Sequence, residues 1–502
     1  MIRVKQLYRR RRRRLLSFLL CLAVAVLVLA HAPATSGARA QVAPATPGAS
    51  EPQKPGGAET QPETKISPQE AQELFRDVDA ILKFASLDTD LPVKKEVKRR
   101  LTTREEVVSY LEKNMAEDKD TERLRRSERV LKKFGLLPAD FDLSGFLVKL
   151  LREQVAGYYD AKTKTVNLLD WIDPEQQRPV MAHELTHALQ DQSFGLEKWM
   201  KRGDIDLDRK KNPTPEDIER DEDSEARQAV VEGQAMVVLV DYMLAPTGKS
   251  LLASPQIAAA LTEGMMAGGA DSPQFQSAPI FLKESLTFPY RYGLDFEAEL
   301  LRSGGKQKAF AAAFTNPPRT TREIMEPKTY LSGERMEAVP LPDFKRDFPN
   351  YERFDIGAMG EFDVAILLDE YASPQVSREQ YPHWRGGYYY AVQPKADTTA
   401  PLGLLYWSRW SDGESAARFA ALYARGLTVR YKQVHEAAEE GQPSIPDLSK
   451  LESLTGRHTW LTTEGPVVIR VQQERVLVME SLDPSTSERL EQELLGSPTA
   501  QP

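Results

Sequence analysis

The stretch Pro179–Gly195, "PVMAHELTHALQDQSFG", places His183, Glu184 and His187 inside one short helical pattern. It closes a longer run, "DPEQQRPVMAHELTHALQDQSFG", in which Asp173 can cap a helix, Pro174 or Pro179 suits a first turn, and Gly195 suits a C-terminal stop. His183 and His187 are four apart and therefore project from one helix face. Two imidazoles so placed can reach one tetrahedral metal ion, with a third protein ligand and a water completing the shell. Glu184, beside the first histidine, is angled to reach that water, take a proton as the water attacks a carbonyl, and return it to a leaving amine. The competing reading is a helix with two satisfied histidines. The chain has only six histidines, and two of them at ligand spacing around a glutamate on a helix favour the metal.

Upstream, "EQVAGYYDAKTKTVNLLDW" (Glu153–Trp171) has two β-rich runs around the turn-like "DAKTK", which predicts a hairpin immediately before the helix. Downstream, "DSEARQAVVEGQAMVVLVDYMLA" (Asp223–Ala245) predicts a second long helix, largely apolar from Ala229 onward and hence buried. Glu232 is enclosed there by apolar residues, and a carboxylate in such surroundings is costly unless paired or bound to metal. Gly233 and Ala235 would let this helix approach the motif helix closely. Glu222, Asp223 and Glu225, in the acidic run "ERDEDSEAR", read as a solvated helix start. Glu225, seven residues before Glu232 on a similar face, stays open as the other candidate ligand.

The motif resembles the zincin metallopeptidases, whose His-Glu-x-x-His signature stands here as "HELTH". That resemblance implies an α+β fold with a zincin-like catalytic domain, its active-site helices under an antiparallel or mixed sheet whose edge strand pairs with substrate backbone. "KTVNLLD" is then the candidate edge strand, His183 and His187 are zinc ligands, and Glu184 is the general base. The residues after His187, "ALQDQSFG", lack the glycine and third histidine of the metzincin pattern. "VEGQA" is similar to the Glu-Gly-x-Ala third-ligand segment of several gluzincin peptidases, which implies Glu232 as third ligand. It departs from the Glu-x-x-x-Asp form of the thermolysin group, because position 236 is Met, and so leaves open which group orients a histidine. The resemblance covers Glu153 to about Ala245, under a fifth of the chain.

The function so implied is zinc-dependent hydrolysis of a protein or peptide substrate. Two alternatives are a catalytically silent zinc-binding envelope scaffold and a zinc hydrolase of a non-peptide amide or ester. Glu184 speaks against the scaffold, since metal binding alone needs no carboxylate there.

The rest of the chain frames this domain. Residues 1–40 carry six consecutive arginines (Arg9–Arg14), the apolar run "LLSFLLCLAVAVLVLA" and a terminal "ARA", which reads as a cleaved export signal and a secreted or periplasmic protein. An uncleaved inner-membrane anchor is the rival, although sixteen apolar residues are short for a span. The arginines also permit twin-arginine export, but the long apolar run favours the general secretory route. The single cysteine, Cys21, lies in that run behind Leu20, where a lipoprotein signal wants a small residue, so the mature chain has no thiol and no disulfide. Losing these residues, with nine Lys or Arg and no Asp or Glu, takes the formal net charge from −8 to −17, which disfavours nucleic acid and anionic membrane as partners.

Residues 41–66, rich in Pro, Ala, Gly, Thr and Glu, read as a flexible linker. Residues 67–135 alternate charge with helically spaced apolar residues; Ser67 and Thr103 fit N-caps, and the segment reads as a helical brace or a propeptide. The zincin-like domain is placed at 136–345, a C-terminal α+β domain at 346–492 and a tail at 493–502.

Weaker candidates complete the list. Tyr290 and Tyr292 in "FPYRYG" are oxyanion donors or buried anchors. "HWRGGYYYAV" reads as an aromatic core face rather than a cleft. His383, His435 and His458 are isolated, Asp191 either supports a ligand or faces solvent, and "NPPRTTREIMEPKTY" has no evident chemical role.

Overall fold

The computed structural model describes residues 65–496 apart from 116–117, 155–156, 206, 208–209, 258, 261–271 and 438–446. The leader and almost all of the linker expected at 1–66 lie outside the described residues.

Helix α1 (Pro68–Thr89) starts at a reciprocal cap in which Ser67 Oγ accepts from Glu70 N and Ser67 N donates to the Glu70 carboxylate. Its apolar stripe, Leu74, Val78, Ile81, Leu82 and Ala85, enters the main core. Thr103 and Glu106 form the same kind of cap before α2 (Arg104–Met115). Helices α3 (Asp118–Lys133) and α4 (Leu143–Gln154) follow. The segment 67–135 is not all helix, however. It contributes a strand, β1 (Lys98–Thr102), to the sheet beside the motif. Its "KRRLT" escapes a strand reading because charged side chains face outward along an exposed edge, a common protection of sheet edges.

The expected hairpin is present as β2 (Tyr158–Asp160) and β3 (Thr165–Leu169), paired antiparallel, with Tyr159 opposite Val166. The turn is built by Asp160, whose carboxylate accepts from Lys162 N at 2.8 Å and from the Thr163 hydroxyl at 2.9 Å. The sheet order is β1-β3-β2, with β1 parallel to β3. Thus "KTVNLLD" does not supply the edge strand expected of it: β3 is central and both of its hydrogen-bonding edges are taken. The cause is visible in its side chains, since Val166 through Leu169 are all buried, as in strands covered on both faces.

The motif helix α5 (Pro174–Phe194) begins with Asp173 accepting from Glu175 N at 2.8 Å and ends at Gly195, whose φ of +69° is open to glycine at little cost. Pro174 takes the first turn and Pro179 lies inside the helix. The second long helix, α6 (Asp223–Leu244), is buried almost throughout from Ala226 to Val240. Its stretch is long and apolar enough to cross a membrane by length and composition, but here it is a core helix packed on α1, α5 and α7 (Ile280–Lys306).

Gly233 meets α7 rather than the motif helix. A Cβ on Gly233 would lie 2.3 Å from Gly293 O, and one on Gly293 would lie 2.3 Å from Ala229 O. The two glycines therefore let α6 and α7 cross backbone to backbone, which corrects the expectation that Gly233 opens α6 to α5.

The C-terminal part is a seven-stranded antiparallel sheet ordered β4-β5-β6-β10-β9-β8-β7, with β4 (Tyr351–Ala358), β5 (Trp384–Pro394), β6 (Gly403–Trp410), β7 (Val434–Glu436), β8 (Gly456–Thr462), β9 (Gly465–Gln472) and β10 (Arg475–Glu480). Alternate residues serve two cores. Leu404 and Tyr406 face the main core with α9 (Glu361–Tyr371) and α10 (Gly413–Arg430). Leu405 and Trp407 face a second core closed by Leu490 and Leu494 of α11 (Pro484–Leu495). In "HWRGGYYYAV", Trp384, Tyr388 and Tyr390 are buried, as an aromatic core face requires. The main core runs unbroken from Leu74 through Phe288 and Phe362 to Val478, so the helical part and the large sheet share one interior. Helix and sheet are segregated, an α+β architecture.

Candidate metal centre

α5 presents His183 and His187 one turn apart, their rings 4.7 Å between centroids and nearly perpendicular. Their Nε2 atoms lie 3.1 Å apart. Glu232 of α6 reaches between them, with Oε2 3.1 Å from His183 Nε2 and 3.4 Å from His187 Nε2. Three donor atoms thus form a near-equilateral triangle with sides of 3.1, 3.1 and 3.4 Å. A tetrahedral divalent ion with bonds of about 2.0–2.2 Å holds its ligand atoms about 3.3–3.6 Å apart. The triangle fits such an ion after shifts of a few tenths of an ångström. His183, Glu184 and His187 also form a buried group with donor atoms within 4.8 Å of one another. The tighter triangle brings Glu232 to both histidines and leaves Glu184 beside it.

All four side chains are buried, and His187 keeps the most exposure, 10% of its side chain. Burial works against a charged His187, yet the carboxylates of Glu232 and Glu184 outweigh it and push its pKa up to about 9. Burial likewise opposes charge on Glu232, but His187 and His183 hold its carboxyl well below the usual range. Glu184 is raised by burial, against the pull of both histidines. The cluster favours positive charge at its centre, as a group able to hold a metal ion must.

Glu184 Oε2 accepts from Tyr159 N of β2 at 2.7 Å, so the hairpin fixes the carboxylate. Asp191, one turn beyond His187, is buried and faces neither solvent nor the donor triangle. It accepts from the Tyr159 hydroxyl at 3.0 Å and from Leu196 N at 3.2 Å, and it pairs with Lys164. Asp191 therefore pins β2, and through β2 the Tyr159 amide that holds Glu184.

Three glutamines surround the donor set, and sequence reasoning missed all of them. Gln190 Oε1 lies 2.9 Å from His187 Nδ1; Gln234 receives a hydrogen bond from Gln190; Gln228 donates to Glu232 Oε1 at 3.0 Å. The available signal was the placement of Gln190 three residues after His187 and of Gln228 four before Glu232, on the ligand faces; Gln234, two residues after Glu232 and about 200° round α6, carried no such signal. Among the described residues the buried His183 Nδ1 has no hydrogen-bond partner, and its ring stacks on that of Tyr290 at 6.1 Å between centroids.

Comparison with family models, curated proteins and solved structures returns no match to this chain. The centre is therefore read from its own geometry.

The remaining candidates separate clearly. Tyr290 reaches the centre, whereas Tyr292, about 200° further round α7, lines a cavity of about 1040 Å³ together with Glu284, Arg291, Phe362, Asp369 and Tyr381. His383 and His435 are exposed, and His458 bonds Glu436 and Thr455 O; none joins the centre. The acidic run before α6 is not solvated as expected. Glu222 and Asp223 are buried, Glu222 accepting from Thr321 N at 3.0 Å and Asp223 facing Arg227. They are covered because "NPPRTTREIMEPKTY" folds over the start of α6: Thr321 opens α8 (Thr321–Met325), Arg319 pairs with Glu219, and Arg322 lies against Glu326, Glu334 and Glu361. That stretch, without a role in sequence, ties α6 to α9.

Proposed function

We propose that the chain is an exported, zinc-dependent metallopeptidase with a zincin-like catalytic domain, in which His183, His187 and Glu232 hold the metal and Glu184 is the general base. The observation that carries this reading is the 3.1, 3.1 and 3.4 Å donor triangle with a further carboxylate, Glu184, on the next residue of the same helix. Two imidazoles and one carboxylate are a donor set zinc accepts, and three protein ligands leave a fourth position open, as catalytic rather than structural sites do. Zinc, when bound, supplies a Lewis acid that polarises a carbonyl and lowers the pKa of water. Glu184, fixed by Tyr159 N–H, takes the proton of the attacking water and delivers it to the leaving amine. Export rests on the leader-like residues 1–40.

The test is hydrolysis of unfolded protein and mixed peptides by zinc-loaded protein beside Glu184→Gln, with zinc content measured in both. Equal zinc, with cleavage by the parent and a loss of about 10²–10⁴-fold in the variant, is the expected result. Stoichiometric zinc with no cleavage by either would turn the reading toward a silent scaffold or a non-peptide substrate. Absence of zinc from both would end the metal reading.

A further inference from the structure

The two histidines differ in how their outer nitrogens are held, and this difference determines which nitrogen can serve as ligand. A glutamine amide has a donor end and an acceptor end, and its orientation must be deduced from its neighbours. Gln234 Nε2 lies 2.7 Å from Ala309 O, in the widened π-type turn Gln307–Ala312 after α7. A main-chain carbonyl only accepts, so the NH₂ of Gln234 faces Ala309 and its Oε1 faces Gln190. Gln190 Nε2 lies 3.1 Å from Val231 O and 2.9 Å from Gln234 Oε1, both acceptors. The Gln190 NH₂ must face them, and its Oε1 must face His187 Nδ1 at 2.9 Å. A neutral His187 then carries its proton on Nδ1, which leaves Nε2, on the side of Glu232 Oε2 and His183 Nε2, free to serve as ligand. A reversed Gln190 would set its oxygen against two other acceptors, Val231 O and Gln234 Oε1, and its NH₂ against His187 Nδ1, which selects the tautomer protonated on Nε2, unable to ligate through that atom.

We propose that Gln190 and Gln234 are positioning residues: a relay of two amides, anchored on the carbonyls of Val231 and Ala309, that holds His187 in its ligating tautomer. The relay rests on the reading of the centre as a metal site. Among the described residues His183 Nδ1 has no such partner, so the relay acts on His187. It also couples the three helices, because His187 and Gln190 sit on α5, Gln234 on α6 and Ala309 just beyond α7.

The experiment is zinc affinity, by competition with a chelator, for the full protein and for Gln190→Met, Gln234→Met and the double variant. Each substitution is close in shape and lacks the amide. Groups that orient a ligand are each worth about 10–100-fold in metal affinity, and that loss is expected for Gln190→Met, with a smaller loss for Gln234→Met because Val231 O still holds Gln190. Acting in series, the double variant should bind no more weakly than Gln190→Met alone, whereas two independent packing defects would add. Parental affinity in Gln190→Met, or additive losses, overturns the relay while leaving the metal centre standing; no zinc in the parent overturns both. A second measurement needs no variant. With ¹⁵N-labelled histidine in the zinc-loaded parent, His187 should show a protonated Nδ1, and a protonated Nε2 overturns the proposal.

Discussion

Glu232 and Glu222 lie ten residues apart at one helix and are both buried, yet their surroundings hold them in opposite states. Glu232 faces two imidazoles, and their attraction overcomes the cost of burial, so its carboxyl stays ionised. Glu222 faces Thr321 and, further off, the carboxylates of Asp363 and Glu323. Burial dominates, and its pKa is pushed up to about 8 despite the two Thr321 hydrogen bonds. Burial alone therefore does not say what a carboxylate does. One of these places favours a cation, the other favours a proton and joins α6 to α8 and α9.

The strongest way to break this contrast is Glu232→Ala. It removes the proposed third ligand and leaves two imidazoles facing each other, so zinc affinity should fall by more than the roughly 10–100-fold expected for a residue that only orients a ligand; retained affinity in a chelator competition would show that Glu232 is not the third ligand.

Glu222 gives the next largest effect, through pH. Its folded pKa, about 8, lies above its ordinary 4.5, so the folded chain keeps a proton that the unfolded chain has lost between those values. Its contribution is full below about pH 4.5, declines as pH rises, and is gone above about pH 8, a change on the order of a few kcal/mol. Glu222→Gln keeps an acceptor for Thr321 and has no proton to lose. Denaturant unfolding from pH 5 to 9 should show a shallower decline than the parent's and greater stability above pH 8. Some slope remains, because Asp363, Glu323 and Glu361 are also raised by burial.

Gly233→Ala tests whether α6 owes its position to α7. A Cβ 2.3 Å from Gly293 O has backbone, not a flexible side chain, to displace, and a loss of about 1–3 kcal/mol is expected, with zinc affinity falling as Glu232 shifts. The smallest effect is Thr321→Val, which removes a hydroxyl that donates to Glu222 and accepts weakly from Phe362 N and should cost about 1–2 kcal/mol without changing zinc affinity.

The same contrast explains how much could be read in advance. α5 was legible because its determinants are local: an aspartate cap, a glycine stop and two histidines at helical spacing. Glu232 was legible because a lone carboxylate within "AVVEGQAMVVLV" has no local reason to be there. Glu222 misled because a run of acids looks solvated until another segment covers it, and the segment that does so begins about a hundred residues later, at Thr321. β1 is hidden by its own charges, and the central position of β3 is not legible because no local pattern announces that a strand about sixty-five residues upstream will close its second side.

By itself the sequence determined the helices, the hairpin, the histidine pair and the carboxylate enclosed in an apolar helix, all set by spacing and by the cost of burying charge. Only tertiary structure decided that Gly233 faces Gly293, that Asp191 reaches Glu184 through Tyr159, and that Gln190 and Gln234 line up behind His187. The physical reason is range. Helix periodicity and capping act over a few residues, whereas the direction of a hydrogen bond to a ligand depends on which distant carbonyl is brought within 3 Å, and that is known only when the helices have packed.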